Sequence, residues 1–305
     1  MIFQENGLKV LFDGWEMLNI AILGSGKIGI DLLCKVIKSK YLTCKLVAGR
    51  NLKSEGLLFA KKKGFDVSDK GIDTIIEIKD NIDLVFDATS AADHIGHWEI
   101  LKKNNINVID MTPSNIGHPI IPTINLDDAL VNKNINMVSC GGQSSIPLIH
   151  TARKILGNNI KYIELVSSIA SISAGPATRI NIDEYITNTA LAIKKFSGNK
   201  INKVILILNP AEPPIFMQTT LSFLLEDDNI NLKYLTRNLY SAIDLVKEYL
   251  PGYELAFDPK IIEKRLVIMI KVIGNGDYLP EFSGNLDIIN AAAIKVAEHI
   301  SKNKI

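Results

Sequence analysis

Short runs of β-branched residues alternate along the first half of the chain with longer stretches whose apolar residues recur at helical spacing. Glycine, serine, threonine or proline follows each β-branched run, and in most cases a helical pattern comes next. This alternation is typical of βα units around a parallel sheet, so we predict an α/β fold with a doubly wound parallel sheet. The predicted strands are residues 18–23, 45–48, 84–87, 108–110 and 137–138.

The pattern changes after residue 140. Residues 163–172 and 203–208 predict longer strands, and residues 266–273 form a further β-branched run. We therefore predict a second, α+β domain with a more antiparallel sheet. Apolar residues return to helical spacing over residues 286–301, which predicts a closing helix that packs back on the first domain.

Composition narrows the range of functions. With 305 residues, 47% of them hydrophobic and 22% charged, the chain is long enough to form two domains that share a buried interface. The net charge of +1 offers no large field for a nucleic-acid backbone or an anionic membrane, so we expect neither as a partner. Charged residues interrupt the apolar positions of residues 1–17, which are therefore neither a signal peptide nor a membrane span.

The three cysteines are odd in number and show no CxxC spacing. This pattern implies neither a disulfide framework nor a zinc ribbon, and we expect a reducing, cytoplasmic location. Cys34 and Cys44 lie in apolar surroundings and are expected to be packing residues. His94 and His97 have the i,i+3 spacing that can suit a metal, but no third ligand is apparent, so we favour an exposed helix surface and expect no metal site.

A predicted strand runs directly into the glycine-rich segment 24–29, which in turn opens a helix. In its GxGxxG pattern Gly24 allows a tight turn, Gly26 lets the backbone approach a pyrophosphate, and Gly29 lets the helix pack closely on the strand. The helix N-terminus supplies amide donors to the phosphates. Strand, loop and helix together predict a dinucleotide site, the alternative being a chance glycine turn. Its residues are Gly24, Ser25, Gly26, Lys27, Ile28 and Gly29.

The residue that grips the adenine ribose is expected about 20 positions further on, at the end of the second strand. Arg50 stands there, and no carboxylate appears before Glu55. Since arginine can bind a 2′-phosphate, the sequence supports NADP as the cofactor at least as well as NAD. The alternative is that Arg50 merely caps a solvated loop, and the sequence leaves both interpretations open.

Cys140 follows a short apolar strand and precedes Gly141 and Gly142 at the start of a helical pattern. A helix N-terminus favours the thiolate over the thiol, and the small glycine backbone offers amides for an oxyanion. We therefore predict that Cys140 is a catalytic nucleophile, the alternative being a buried structural cysteine.

Small residues and an arginine follow the long strand predicted at the start of the second domain. Such a segment suits a loop that closes over a nucleotide or an acyl thioester, but an ordinary Gly-Pro turn with a surface arginine also explains it. The segment comprises Ser171, Ile172, Ser173, Ala174, Gly175, Pro176, Ala177, Thr178 and Arg179.

Six spaced motifs, taken together, resemble those of the acylating acetaldehyde dehydrogenases from about Met17 to the end of the chain. The motifs are residues 22–29 (ILGSGKIG), 86–91 (FDATSA), 139–143 (SCGGQ), 173–176 (SAGP), 209–214 (NPAEPP) and 276–280 (GDYLP). The resemblance implies a Rossmann domain followed by a substrate domain of the semialdehyde-dehydrogenase type. It also implies the oxidation of acetaldehyde with NAD and coenzyme A to acetyl-CoA.

The resemblance extends to site residues and partners. It implies that Cys140 forms an acyl-thioester and that residues 25–28, residues 171–179 and Asn285 contact the cofactor. Members commonly work beside 4-hydroxy-2-oxovalerate aldolase, which makes this aldolase a candidate partner, and we expect a homodimer.

We divide the chain accordingly. Residues 1–16 are an N-terminal extension, residues 17–140 a dinucleotide-binding domain, residues 141–284 a substrate and dimerisation domain, and residues 285–305 a C-terminal helix that packs back on the first domain. Residues 1–16 precede the family's usual start, and they are either an added arm or the product of a misassigned start codon.

The sequence departs from the family's pattern at several positions. Members usually read Met-Arg-Asp-Thr after the NPAEPP motif, whereas here Gln218 replaces the arginine and Thr219 the carboxylate. Ile172 and Ala177 replace a lysine and a glycine of the nucleotide loop. If the missing acid accepts protons, this protein uses another base, works slowly or does something different. The alternatives are a nicotinamide-dependent reductase of another acyl thioester, on coenzyme A or a carrier, and a catalytically lapsed dinucleotide-binding homologue.

Overall fold

The computed structural model describes residues 11–12 and 15–304. The predicted extension 1–16 therefore lies largely outside the described residues. Its described part is an antiparallel pair of two-residue strands, β1 (Leu11–Phe12) and β2 (Trp15–Glu16).

A seven-stranded sheet forms the first domain. Its strands are β3 (Leu18–Leu23), β4 (Leu42–Ala48), β5 (Val67–Ser68), β6 (Leu84–Asp87), β7 (Asn107–Asp110), β8 (His118–Pro119) and β9 (Asn134–Asn136). Their order is β5-β4-β3-β6-β7-β9-β8, and every neighbouring pair is parallel. The direction of winding reverses between β3 and β6, so the predicted doubly wound parallel sheet is confirmed.

Helices cover both faces of this sheet. They are α1 (Lys27–Lys38), α2 (Glu55–Lys62), α3 (Ile72–Glu77), α4 (Ala91–Lys103) and α5 (Pro122–Asn125). Successive residues of β3 point to opposite faces, so Ile22 packs in the core that contains α1, and Ala21 packs in the core that contains α3 and α4. Because both faces are buried, β3 is an almost unbroken apolar run in the sequence.

The predicted strand at residues 137–138 is wrong, because β9 ends at Asn136. The Asn136 side-chain oxygen accepts a hydrogen bond from the backbone N–H of Val138 at 2.8 Å, and Val138 has a φ of +63°. A β-branched residue in the left-handed region cannot continue a strand. The chain instead turns at Val138 and leads directly into the next helix.

The second domain begins with helix α6 (Cys140–Leu156) and is built on a five-stranded sheet. Its elements are β10 (Ile160–Ala170), α7 (Pro176–Ile180), α8 (Ile182–Ser197), β11 (Asn202–Asn209), β12 (Met217–Leu225), α9 (Leu232–Lys247), β13 (Tyr253–Ile262) and β14 (Arg265–Val272). The strand order is β11-β10-β12-β14-β13, and β10 with β11 is the one parallel pair among these strands. The predicted α+β domain with a mainly antiparallel sheet is confirmed.

One strand boundary in this domain was predicted wrongly. Residues 163–172 were expected to be a single strand, but β10 ends at Ala170 and residues Ser171–Ser173 form a 3₁₀ turn. The Ser173 hydroxyl donates to the carbonyl of Ala170 at 2.8 Å, which closes the turn. Serine side chains compete with strand pairing in this way.

The last helix, α10 (Gly284–Lys302), packs on α1 and contributes Ala292, Ala293 and Val296 to the core of the first domain. A buried ion cluster fixes this arrangement. Lys35 Nζ lies 2.5 Å from a carboxylate oxygen of Asp277, 2.5 Å from one of Asp287 and 3.2 Å from one of Asp31.

Burial alone lowers the pKa of Lys35, but the three carboxylates outweigh burial and raise the pKa above its ordinary value. The lysine is therefore charged, and its removal would leave carboxylates buried without a counter-charge. Across the described residues, no helix combines the length and the apolar character needed to cross a membrane.

Candidate active site

A pocket opens between the two domains at the carboxyl edge of the parallel sheet. The loops that follow β6, β7 and β9 form one wall, and the ends of α1, α7, α8 and α10 form the other. Its cavity volume is about 90 Å³. The lining residues are Ile28, Ala88, Thr89, Ser90, Met111, Thr112, Pro113, Val138, Ser139, Cys140, Thr178, Asn181, Tyr185, Asn285, Leu286 and Ile289.

The glycine loop has the geometry of a dinucleotide site. Gly24 has a φ of +115°, and a Cβ there would lie 2.5 Å from the carbonyl oxygen of Ala88. A Cβ on Gly29 would lie 1.9 Å from the carbonyl oxygen of Gly24, so only glycine lets α1 pack against the turn. A Cβ on Gly26 would meet no atom of the described residues within 4 Å. The open space at Gly26 beside the N-terminus of α1 fits a pyrophosphate.

The segment 171–179 faces this loop from the second domain. The Lys27 ammonium donates to the carbonyl of Ile172 at 3.4 Å, and the Ser173 hydroxyl donates to the side-chain oxygen of Asn285 at 2.9 Å. Glycine loop, second-domain segment and C-terminal helix therefore meet at one place. Of the residues expected to contact the cofactor, Ile28, Thr178 and Asn285 line the pocket.

Arg179 is exposed, as the alternative interpretation expects, but its guanidinium is bound to its own segment. Its guanidinium donates to the carbonyl of Ser171 at 3.0 Å, to the Ser171 hydroxyl at 2.8 Å and to the carbonyl of Ala174 at 3.2 Å. These bonds hold the segment in its turn. Arg179 thus shapes the loop beside the pocket and is absent from the residues that line it.

Arg50 follows Gly49 at the end of β4 and remains exposed. A Cβ on the preceding residue, Gly49, would lie 2.7 Å from the Ser25 hydroxyl, so the end of β4 packs against the loop. The Ser25 hydroxyl is in turn 3.3 Å from that of Ser54. This position keeps Arg50 available to an anion bound at the loop, and its interpretation as a contact for a 2′-phosphate stays a prediction.

Cys140 is the first residue of α6 and lines the pocket. The Ser139 hydroxyl caps the helix by accepting a hydrogen bond from the N–H of Gly142 at 2.9 Å. The cap occupies the Gly142 amide, which leaves the amides of Cys140 and Gly141 as the oxyanion donors of this turn. The predicted strand-to-helix setting of Cys140 is thus present, but only part of the expected set of donors is available.

The predicted preference for the thiolate does not hold in the protein alone. Burial raises the pKa of the Cys140 thiol to about 11, and the backbone N–H groups of Gly141 and Cys140 and the Tyr185 hydroxyl only partly oppose this increase. The helix N-terminus therefore acts in the predicted direction, but desolvation of the charged sulfur is the larger effect. At neutral pH Cys140 is a thiol.

The turn before Cys140 is held in a strained conformation. Val138, at its positive φ, donates to Asn136 at 2.8 Å and accepts a hydrogen bond at its carbonyl from the Asn188 side chain at 2.9 Å. Two asparagines from different domains thus fix the conformation of Val138, where the chain turns toward the pocket. Strain of this kind persists only where the surrounding contacts determine the conformation.

A row of neutral hydroxyls lies behind Cys140. Thr219 Oγ1 is 3.0 Å from the Ser167 hydroxyl and 3.2 Å from that of Ser144. Ser144 also donates to the carbonyl of Gly141 at 3.0 Å. Thr219, the residue in place of the family's carboxylate, is fully buried and forms part of this row.

The loops that follow β6 and β7 are held by charged groups. Asp87 Oδ2 is 2.8 Å from His94 Nδ1 and 2.9 Å from His97 Nδ1, and Asp110 lies 3.5 Å from His94 Nε2. The same Asp87 accepts from the Thr89 hydroxyl at 2.5 Å, and Thr89 lines the pocket. The expectation that His94 lies on an exposed helix surface is wrong, because its side chain is 0% exposed.

Hydrogen bonds decide the ionisation of this cluster. Burial alone raises the pKa of Asp87, but the bonds from His94 and His97 lower it to about 2. Burial alone lowers the pKa of His94, but Asp87 and Asp110 raise it overall. Burial raises the pKa of Asp110. The cluster thus holds an ionised Asp87 against a histidine that favours protonation.

Cys34 and Cys44 do not line the pocket. Burial raises the pKa of both thiols, and Cys44 donates to the carbonyl of Leu46 at 3.6 Å. Cys44 also packs against the core of the first domain. These surroundings are those of packing residues rather than of nucleophiles.

Comparison with known proteins identifies the family. A family model described as "Prokaryotic acetaldehyde dehydrogenase, dimerisation" matches residues 140–280. Proteins named acetaldehyde dehydrogenase from Pectobacterium atrosepticum, Spirochaeta aurantia and Geobacillus stearothermophilus are 49%, 48% and 42% identical to this chain. The alignments cover 94%, 93% and 94% of this chain and 96%, 95% and 97% of those proteins. The chain belongs to the acetaldehyde dehydrogenase family.

Membership of the acetaldehyde dehydrogenase family confirms the resemblance found in the motifs. Together with the doubly wound sheet, it indicates a nicotinamide cofactor for an oxidoreductase that acts on aldehydes. The relatives favour this function over the alternatives of a different reductase or a lapsed homologue.

Several residues of the pocket were missed by the sequence analysis. Thr89 and Ser90 lie within a motif that carried the resemblance, and Thr112 and Pro113 follow a predicted strand, so position after a parallel strand was the available signal. Tyr185 had no such signal. It reaches the pocket from the first turn of the amphipathic helix α8, where a tyrosine ordinarily indicates packing.

Proposed function

We propose that this protein is a CoA-acylating acetaldehyde dehydrogenase. In this proposal acetaldehyde, an oxidised nicotinamide cofactor and coenzyme A become acetyl-CoA and the reduced cofactor, with the release of one proton. The supporting observation is the position of Cys140 at the start of α6, in a pocket that Ile28 of the glycine loop and Asn285 of α10 also line. A nucleophile and a dinucleotide site thus share one pocket.

Cys140 carries the covalent chemistry. Its thiolate attacks the aldehyde carbonyl carbon and forms a C–S bond, which gives a thiohemiacetal. The cofactor, when bound, accepts the hydride that this carbon loses. Cys140 then holds the acetyl group as a thioester. The sulfur of coenzyme A attacks the thioester carbonyl, the C–S bond to Cys140 breaks, and acetyl-CoA leaves.

The amides of Cys140 and Gly141 are placed to stabilise negative charge that develops on the carbonyl oxygen in both steps. Thr219, in contrast, cannot take up a proton at neutral pH, because a hydroxyl is not basic enough. We propose that the released proton leaves through the open mouth of the pocket to water or buffer. The turnover rate should then increase with the concentration of the basic form of the buffer at constant pH and ionic strength.

The decisive experiment mixes purified protein with acetaldehyde and coenzyme A and follows the absorbance of the reduced cofactor. We expect turnover that requires coenzyme A and that decreases by a factor of roughly 10³ or more in Cys140→Ala, because this change removes the nucleophile. Cys34→Ala serves as the matched control and should retain turnover, since Cys34 lies outside the pocket. Turnover that survives in Cys140→Ala would rule out the proposed acyl-thioester.

Parallel assays with NAD and NADP test the proposed role of Arg50. If Arg50 binds the 2′-phosphate, Arg50→Ala should lower kcat/KM with NADP by about tenfold and leave the value with NAD nearly unchanged, since one charge-assisted contact is lost. Equal effects on both cofactors would instead assign Arg50 to a solvated loop.

We also propose a homodimer formed through the second domain, which the description of the matched family model supports. Light scattering on the purified protein tests this state directly. A partnership with 4-hydroxy-2-oxovalerate aldolase and a cytoplasmic location stay predictions. Co-purification of the two enzymes, when they are produced together, would test the partnership.

A further inference from the structure

We propose that the Tyr185 hydroxyl donates a hydrogen bond to the sulfur of Cys140 and stabilises its thiolate. This inference rests on the proposed function, because it assigns to Tyr185 a catalytic role in forming the nucleophile. The motifs found in the sequence give no role to this residue, which lies in the first turn of α8.

The Tyr185 hydroxyl lies close to Cys140. Tyr185 lines the pocket together with Cys140, and its side chain is buried, with 6% exposed. A Cβ on Gly141 would lie 2.1 Å from the tyrosine oxygen, so the hydroxyl sits directly against the first turn of α6. Gly141 therefore also makes room for the Tyr185 hydroxyl, because any larger residue at this position would displace it.

The Tyr185 hydroxyl is also available to donate a hydrogen bond. The Tyr185 oxygen is buried, and no hydrogen bond of ordinary length and angle joins it to a described residue, although Ser167 and the Cys140 sulfur lie near it. A buried hydroxyl without a partner costs free energy, and such groups in folded proteins call for an explanation. A thiolate formed at Cys140 would provide the missing acceptor, and the bond would be a charge-assisted one.

Few other groups near Cys140 can stabilise its charged sulfur. Within the described part of the chain, no charged side chain contributes to the pKa of Cys140, which is set by burial, by two backbone N–H groups and by Tyr185. No histidine pairs with the thiol in the way that activates many cysteine nucleophiles. The tyrosine hydroxyl is thus the side chain of the described residues that favours the charged sulfur.

The phenol acts as a donor and not as a base. Burial and the nearby Cys140 sulfur raise the pKa of Tyr185 well above its ordinary value, so the hydroxyl keeps its proton. Ser167 interacts with Tyr185 and is 3.0 Å from Thr219, which connects the tyrosine to the row of neutral hydroxyls. That row orients Tyr185. The proton of the thiol itself passes to solvent.

The test measures alkylation of Cys140 by iodoacetamide over neutral and mildly alkaline pH in the wild type and in Tyr185→Phe. Peptide mapping by mass spectrometry separates Cys140 from Cys34 and Cys44. We expect alkylation of Cys140 to be about tenfold slower in Tyr185→Phe at each pH, since loss of one hydrogen bond to a charged group raises the thiol pKa by about one unit. An equal rate in the two proteins would overturn the proposal.

Tyr249→Phe is the matched control. The Tyr249 oxygen is also buried without a partner among the described residues, but the residue does not line the pocket. We expect its alkylation profile to match the wild type, and a decrease as large as that of Tyr185→Phe would also overturn the proposal. Thermal unfolding establishes that each variant is folded before labelling.

Alkylation needs neither acetaldehyde nor cofactor, so the test is independent of the proposed activity. If turnover is absent but labelling depends on Tyr185, the proposed function fails and the role of Tyr185 stands. If turnover is present but labelling is unchanged in Tyr185→Phe, the proposed function stands and the role of Tyr185 fails. In the case that both hold, kcat should also decrease in Tyr185→Phe.

Discussion

Two buried polar clusters support the residues that line the pocket, and they compensate for the burial of polar groups in different ways. On the side of the first domain the cluster is ionic, with Asp87 bound to His94 at 2.8 Å and to His97 at 2.9 Å. On the side of the second domain the cluster is neutral, with Thr219 3.0 Å from Ser167 and a cysteine that remains a thiol at neutral pH.

The difference separates positioning from reactivity. A buried charge is tolerated only when it is paired, so the ionic cluster has one arrangement and holds the loops after β6 and β7 in place. The neutral cluster has no such requirement and keeps the sulfur uncharged. It stabilises the thiolate only by hydrogen bonds, which are too weak to ionise Cys140 in advance. The ionic cluster therefore contributes mainly to stability, and the neutral cluster contributes mainly to the reactivity of Cys140.

The largest effect is expected from breaking the ionic cluster. His94→Ala removes the histidine beside Asp110 and one of the two histidines that bind Asp87, and it should lower the free energy of unfolding by about 3 to 5 kcal/mol, as for other broken buried pairs. Chemical denaturation measures this loss. His118→Ala is the control, because the His118–Asp128 pair is partly exposed and should contribute about 1 kcal/mol or less. Equal losses in both variants would show that His94 is not part of a tight pair.

Acid should weaken the same cluster. Asp87 has its pKa lowered to about 2 in the folded protein, so its contribution to stability is present above its unfolded pKa near 4 and is lost as the pH falls toward 2. The expected loss is about 2 kcal/mol, since each unit of pKa difference corresponds to roughly 1.4 kcal/mol. Asp110, whose pKa is raised, acts in the opposite direction, and His94, whose pKa is also raised, stays protonated throughout this range.

The measurement is the free energy of unfolding against pH for the wild type and for Asp87→Asn. The difference between the two curves should shrink as the pH falls from 4 toward 2, because protonation removes the charge that asparagine lacks. A constant difference would mean that folding leaves the pKa of Asp87 unchanged.

Features set by neighbours along the chain could be predicted from the sequence. The strand–glycine–helix unit around residue 24 and the placement of Cys140 at a helix start both depend on residues a few positions apart, and both are present in the structure. The alternation of apolar runs was sufficient for the two kinds of sheet, although not for every strand end.

Features set by distant residues could not be predicted in this way. His94 looks like a surface histidine until β6, β7 and β9 bring Asp87, Asp110 and Asn134 around it. Tyr185 reaches Cys140 only because α8 packs along α6. The raised pKa of Cys140 depends on how the two domains pack around the sulfur, which no local pattern encodes.

The neutral cluster should tolerate change better than the ionic one. Thr219→Val keeps the shape of the side chain but removes its hydroxyl, and we expect the free energy of unfolding to decrease by about 1 kcal/mol, because Ser144 retains its bond to Gly141. Thr220→Val, on the opposite face of the same strand, is the control and should change stability by less than about 0.5 kcal/mol. A loss of several kcal/mol in Thr219→Val would mean that the two clusters are equally rigid.

The smallest effect on stability is expected at Tyr185, where the proposed effect on reactivity is large. The Tyr185 hydroxyl is buried and makes no hydrogen bond of ordinary length and angle to a described residue, so it costs free energy in the folded protein. Tyr185→Phe removes this cost and keeps the ring, and the free energy of unfolding should stay unchanged or increase by up to about 1 kcal/mol. Denaturation and alkylation of the same samples give the free energy of unfolding and the alkylation rate of Cys140.

A variant that is as stable as the wild type but is alkylated more slowly would show that the Tyr185 hydroxyl contributes to reactivity and not to stability. A marked loss of stability would mean that the hydroxyl already has a strong partner, and the two clusters would then differ only in charge.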